Sequence, residues 1–167
     1  MKVWRLARLV YARTSAAAYD GRGAAIAGGR WNPKDVAAAY ASPYRALAVL
    51  EVLVHIDWTN APDDDVMAGA TIPDDSVETL TALPPKWDGD TPIPACEAIG
   101  GSFIAEGRAL ALVVPSAVSP RDKNVLINHR IRDSVTSSST SWSRLRLTRG
   151  LRRVVSSCRR RRRSDSW

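Results

Sequence analysis

One carboxylate stands out against its surroundings. Glu51 is the only acidic residue between Asp35 and Asp57, and it lies inside Ala46-Leu47-Ala48-Val49-Leu50-Glu51-Val52-Leu53-Val54-His55. An unpaired carboxylate taken out of water costs several kcal/mol, comparable with the whole stability of a small domain, so Glu51 must be paired, protonated or set at a water-filled cleft. A core arginine such as Arg5 would neutralise it; a cleft, the preferred account, would put its charge to work on a bound molecule. Upstream, Gly28-Gly29-Arg30-Trp31-Asn32-Pro33 places a planar fork of donors beside a backbone small enough for close approach, an arrangement suited to phosphate. Tyr40 adds a flat ring for stacking, and Ser116 adds a hydroxyl for hydrogen bonding.

Other chemistries fall away on residue type and spacing. His55 and His129 are the only histidines, and neither stands at ligand spacing from the other or from Cys96 or Cys158, so no metal site is expected. Ser116 sits in Val114-Pro115-Ser116-Ala117-Val118, which lacks the strained glycine elbow of a serine hydrolase. No phosphate-binding loop of the nucleoside-triphosphatase type occurs, and Ile26 stands where a dinucleotide-binding fingerprint needs its third glycine.

The elements that must carry these residues follow from apolar patterning. Residues 3–12 suit a strand edging into a loop, and Gly21, Gly23, Gly28 and Gly29 make a glycine-rich connection. Residues 36–41 read as a short strand, with Ser42 as N-cap and Pro43 as first residue of a helix running through residues 44–55. Apolar residues fill most of that helix's circumference, which predicts burial nearly all round. Residues 66–72 are the most strand-like part of a Pro- and Asp-rich stretch, and residues 84–94 read as a surface excursion. Residues 99–105 and 109–114 are apolar, the second of strand length, which puts Ser116 at a strand end; residues 125–128 add one more short strand.

At 167 residues the chain is one domain's worth, and 45% hydrophobic with 25% charged residues is an ordinary globular balance. No apolar run approaches the roughly 18 to 20 residues of a membrane span. No secretory leader is evident, and two cysteines 62 positions apart make a disulfide framework improbable, so a cytoplasmic location is expected. The net charge of +7 is unevenly placed: residues 1–128 hold 12 Lys and Arg against 15 Asp and Glu, whereas residues 129–167 hold 12 Arg against two Asp. The basic excess therefore belongs to a Ser/Arg-rich segment, expected to be a disordered or aberrant tail of the kind that a shifted reading frame would produce. Its arginines give a rival reading, nonspecific nucleic-acid binding by counterion release.

The runs quoted above, together with Tyr40-Ala41-Ser42, Ile72-Pro73-Asp74-Asp75 and Asn124-Val125-Leu126-Ile127-Asn128, resemble in order and spacing the RES-domain family. These are toxins of bacterial type II toxin–antitoxin systems, named for an Arg, a Glu and a Ser that fall on Arg30, Glu51 and Ser116. The resemblance spans roughly residues 3–128, giving a catalytic domain over 1–128 and the tail over 129–167. It implies an α/β (α+β) fold similar to the ADP-ribosyltransferase toxins, with mixed sheets and flanking helices. It also implies cleavage of the nicotinamide–ribose bond of NAD+ by hydrolysis or phosphorolysis, or transfer of ADP-ribose to a protein. NAD+ is then a substrate, with no separate cofactor. The expected partner is a helix-turn-helix antitoxin of the Xre type, and a homodimer stays open. On this reading Glu51, Arg30 and Tyr40 are catalytic, and Arg30, Tyr40, Ser116, Gly29, Trp31 and Asn32 bind the dinucleotide.

Overall fold

Alternation along the first strand, β1 (Lys2–Arg8), sorts two separate cores in the computed structural model, which describes residues 1–55, 64–91, 93–129 and 142–144. Val3 and Ala7 face one way, Trp4 and Leu6 the other. β1 pairs antiparallel with β3 (Asp65–Thr71), whose Val66, Ala68 and Ala70 join Val3 while Met67 joins Leu6. The helix carrying Glu51, α3 (Arg45–Leu53), lies on the Leu6 and Met67 side through Ala48, and the Arg45 guanidinium sits 4.7 Å from the Trp4 ring centroid.

The second sheet has the order β2 (Ala39–Ala41), β6 (Lys123–Ile127), β5 (Ala111–Pro115), β4 (Val77–Thr79). Only β4 and β5 run parallel, so the sheet is mixed. Ala39, Ala41, Ala111, Val125 and Ile127 face the first sheet and share its core. Tyr40, Leu112, Val114 and Leu126 face the other way, against Cys96, Phe103 and Ile104 of α4 (Pro94–Glu106). The layers are therefore helix, sheet, sheet, helix: the expected α/β architecture with mixed sheets and flanking helices. At one corner the two sheets are stitched together, because Trp4 and Ser42 exchange backbone hydrogen bonds at 2.7 and 2.8 Å.

Several local features differ from expectation. The α3 helix starts at Arg45 rather than at Pro43, with Tyr44 as an extended N-cap, because Ser42 is already committed to the Trp4 bridge. It is also one-sided: Leu47 and Ala48 are buried while Leu50 and Val54 are 40% and 51% exposed, since the first sheet covers a single face. The glycine-rich connection contains α1 (Ser15–Ala18) and α2 (Arg22–Ala27), the latter bounded by Gly21 and Gly28, both at φ 74°. Residues 99–105 belong to α4. Within residues 129–167, β7 (Trp142–Arg144) pairs antiparallel with β3, so part of the segment expected as a tail is a sheet strand; most of that segment lies outside the described residues.

Candidate active site

The corner where the sheets meet gathers the polar groups. Ser116 follows the last residue of β5, as its position after an apolar run predicts, and Asn124 is the second residue of β6, opposite Val114. Glu51 reaches both from α3: its Oε1 accepts from Ser116 Oγ at 2.5 Å and from Asn124 Nδ2 at 2.6 Å. The Ser116 hydroxyl in turn accepts the Ser119 backbone N–H at 2.9 Å, so its own proton is directed at the carboxylate. Glu51 Oε2 has no hydrogen-bond partner among the described residues, and the residue is only half-buried. The carboxylate is thus held by one oxygen and open at the other.

Arg5 does not neutralise it. This guanidinium, on β1, donates from Nη1 to the Tyr40 carbonyl at 2.7 Å, and its buried Nε has no partner among the described residues. It forms no ion pair with a described carboxylate. Burial works against its charge, partly offset by Tyr19, Asp20 and Tyr40 nearby. A sheltered cation with no ion pair among the described residues suits an anionic group, and the sequence reading saw Arg5 only as a mate for Glu51.

Tyr40 is two residues along β2 from Ser42, about 7 Å at the usual strand rise. Its hydroxyl accepts from Trp31 N at 3.0 Å and donates to Asn32 Oδ1 at 2.7 Å. Burial pushes this phenol well above the ordinary tyrosine value, although hydrogen bonding from Trp31 and the charges of Arg30 and Arg5 act the other way. Tyr40 is therefore a neutral strut under the Gly29–Asn32 turn, within reach of the charges of Arg30 and Arg5.

That turn divides the remaining candidates. Asn32 is fully buried, and its amide donates to the carbonyls of Ala24, Pro33 and Val36 at 3.0, 3.1 and 3.0 Å. Trp31 is 2% exposed and packs in the α4 core, stacked on Trp87 with centroids 6.3 Å apart. Both side chains hold the turn from inside. A Cβ on Gly29 would lie 2.7 Å from both Tyr40 Oη and Asn32 Oδ1, so glycine is required there for packing. Arg30 donates from Nη1 to the Trp87 carbonyl at 2.5 Å and from Nη2 to the Gly89 carbonyl at 2.7 Å. It fastens the loop after β4 and retains three of its five N–H groups for an anion. Sequence reasoning missed Ser42 and Asn124 as site residues, although Asn124 opens one of the quoted runs.

Among the described residues no cluster of three or more His, Cys, Asp or Glu could hold a metal ion, and no helix is long and apolar enough to cross a membrane. His55 is exposed past the end of α3, and His129 Nδ1 lies 2.8 Å from the Ala37 carbonyl.

Two sheets, one of them mixed, flanked by helices and with a carboxylate at the corner between them define a mixed α/β fold. The chain superposes on a chain of the Mycobacterium tuberculosis MbcT-MbcA toxin-antitoxin complex with a TM-score of 0.62, at 19% identity, over 93% of this chain and 88% of that one. A model of the RES domain matches residues 2–149, reaching past Asn128 to take in β7, and the chain belongs to the RES domain family. It is similar to "Toxin Res" of Photorhabdus laumondii subsp. laumondii, 33% identical over 135 residues (80% of this chain, 85% of the relative). It is also similar to "Prs ADP-ribosylating toxin" of Sphingobium sp., 37% identical over 135 residues (75% and 80%).

Proposed function

We propose that this chain is the toxin of a toxin–antitoxin pair and that it consumes NAD+ by breaking the bond between nicotinamide and ribose. The observation that carries the reading is the Glu51 carboxylate, fixed through Oε1 by Ser116 and Asn124 and open at Oε2. In this reaction the C1′–N bond breaks, nicotinamide leaves as a neutral base with the bonding pair, and positive charge develops on the ribose. A preorganised negative charge lowers that barrier because it is worth more to the transition state than to the substrate. Glu51 Oε2 accepts a ribose hydroxyl and faces the developing cation. The acceptor then adds at C1′ and gives up its proton: water yields free ADP-ribose, phosphate yields its phosphorylated form.

Arg5 and Arg30, both near Tyr40, supply cations for the diphosphate. Arg5 forms no ion pair with a described carboxylate, and Arg30 keeps N–H groups beyond the two that hold the loop. Ser116 serves Glu51 first, since its hydroxyl proton is spent on the carboxylate. NAD+ is the substrate, no further cofactor is required, and the site of action is the cytoplasm. The structural likeness to a chain of a toxin–antitoxin complex supports a cognate antitoxin as partner; that it is of the helix-turn-helix kind is part of the proposal.

The Sphingobium relative, named for ADP-ribosylation, favours a second reading in which a protein side chain is the acceptor. Incubation with NAD+ labelled in the adenosine half separates the outcomes. Label in free ADP-ribose or its phosphate supports consumption, label on a protein band supports transfer, and intact NAD+ overturns both.

A further inference from the structure

We propose that Ser42 and Asn124 are positioning residues that set the direction of the Glu51 carboxylate. The proposal rests on the reading that Glu51 acts on NAD+. Ser42 Oγ lies 2.6 Å from Asn124 Oδ1, an oxygen that carries no proton, so the serine must donate. Accepting that bond fixes the amide with Nδ2 toward Glu51 Oε1, at 2.6 Å. The reverse amide would set two acceptors 2.6 Å apart beside a carboxylate and leave the serine hydroxyl facing an NH2 group. Ser42 and Asn124 are 2% and 8% exposed, so solvent does not substitute for either contact.

The chain of donors therefore runs one way: the Ser42 hydroxyl to the Asn124 carbonyl oxygen, the Asn124 amide to Glu51. A second, from the Ser119 N–H through the Ser116 hydroxyl, arrives at the same Oε1. Both converge on one oxygen, which leaves the lone pairs of the other aimed at whatever occupies the corner. Ser42 is also the residue that stitches the two sheets at Trp4, so the direction of the carboxylate is set from a point tied to both sheets. Hydrogen-bond relays of this kind stiffen a catalytic group at little cost when every member is satisfied.

The test compares the parent with Ser42→Ala, Ser42→Thr and Asn124→Asp, using NAD+ turnover and the Asn124 side-chain amide resonance in 15N-labelled full-length protein. Ser42→Ala should cut kcat about tenfold with KM within about twofold, because orientation and not affinity is lost. Asn124→Asp, which sets a second carboxylate against Glu51, should cut it further. Ser42→Thr, keeping the hydroxyl, should restore most of kcat. In the parent the hydrogen-bonded Asn124 amide proton should resonate downfield, and it should move in Ser42→Ala. Unchanged kcat in Ser42→Ala, an unmoved resonance, or a loss that Thr does not rescue overturns the proposal. Should the parent leave NAD+ intact, the function reading and the catalytic role of the relay both fall, while the resonance still decides whether Ser42 orients the amide.

Discussion

Gly100 of α4 lies directly against the Trp31 carbonyl: a Cβ at position 100 would sit 1.6 Å from that oxygen and 2.7 Å from its carbon. Backbone cannot rotate out of the way as a side chain can. Gly100→Ala should therefore move α4 off the Gly29–Asn32 turn and cost about 3 kcal/mol or more, at the upper end for overpacking. Gly29→Ala, whose new methyl meets side-chain oxygens, should cost less, about 1 to 3 kcal/mol. Urea denaturation of the two variants gives the order, and equal or negligible losses would contradict the packing.

Arg30 ties the loop after β4 through the carbonyls of Trp87 and Gly89. Lys86, at φ 61°, is exposed in that loop and is a tryptic site. Arg30→Met should raise the rate of cleavage after Lys86 about tenfold, corresponding to about 1.4 kcal/mol of lost closure. An unchanged digestion rate would mean that Trp87 stacking on Trp31 holds the loop alone.

Tyr19 and Tyr40 make stability sensitive to alkali. Burial raises both phenols above the ordinary tyrosine value, and Tyr19 donates to the Ala68 carbonyl at 3.0 Å. Their contribution is complete below a pH of about 10, where the unfolded chain is still protonated, and is lost as pH rises from there toward the folded values. Unfolding free energy should fall by up to about 1.4 kcal/mol per pH unit for each tyrosine. Tyr19→Phe and Tyr40→Phe should each flatten that limb by one group, whatever they cost at neutral pH, and an unaltered slope would contradict it.

What the sequence disclosed and what it withheld divide along contact distance. Glu51 is legible because a carboxylate in an apolar helix is a local anomaly, and Ser116 because Pro115 ends an apolar run of strand length. The Ser42 hydroxyl, by contrast, finds its partner 82 residues away, so local pattern assigns it to a helix cap. Trp31 and Asn32 belong to a suggestive run, but facing a ligand or a core is decided by α4 and Tyr40, which approach from elsewhere. The helix around Glu51 looked buried all round because apolarity shows no direction; a single sheet leaves Leu50 and Val54 uncovered. Arg5 went unread as a site residue because its sheltered Nε, without a partner among the described residues, exists only between packed sheets.

Glu51→Gln tests the account most directly, since the amide keeps the shape and an oxygen to receive Ser116 and Asn124 while removing the charge. NAD+ consumption by the purified variant should fall about 100-fold or more, the scale of losing one preorganised electrostatic group, with its thermal midpoint close to the parent's. Consumption at the parent's rate would contradict the claim that this carboxylate carries the reaction.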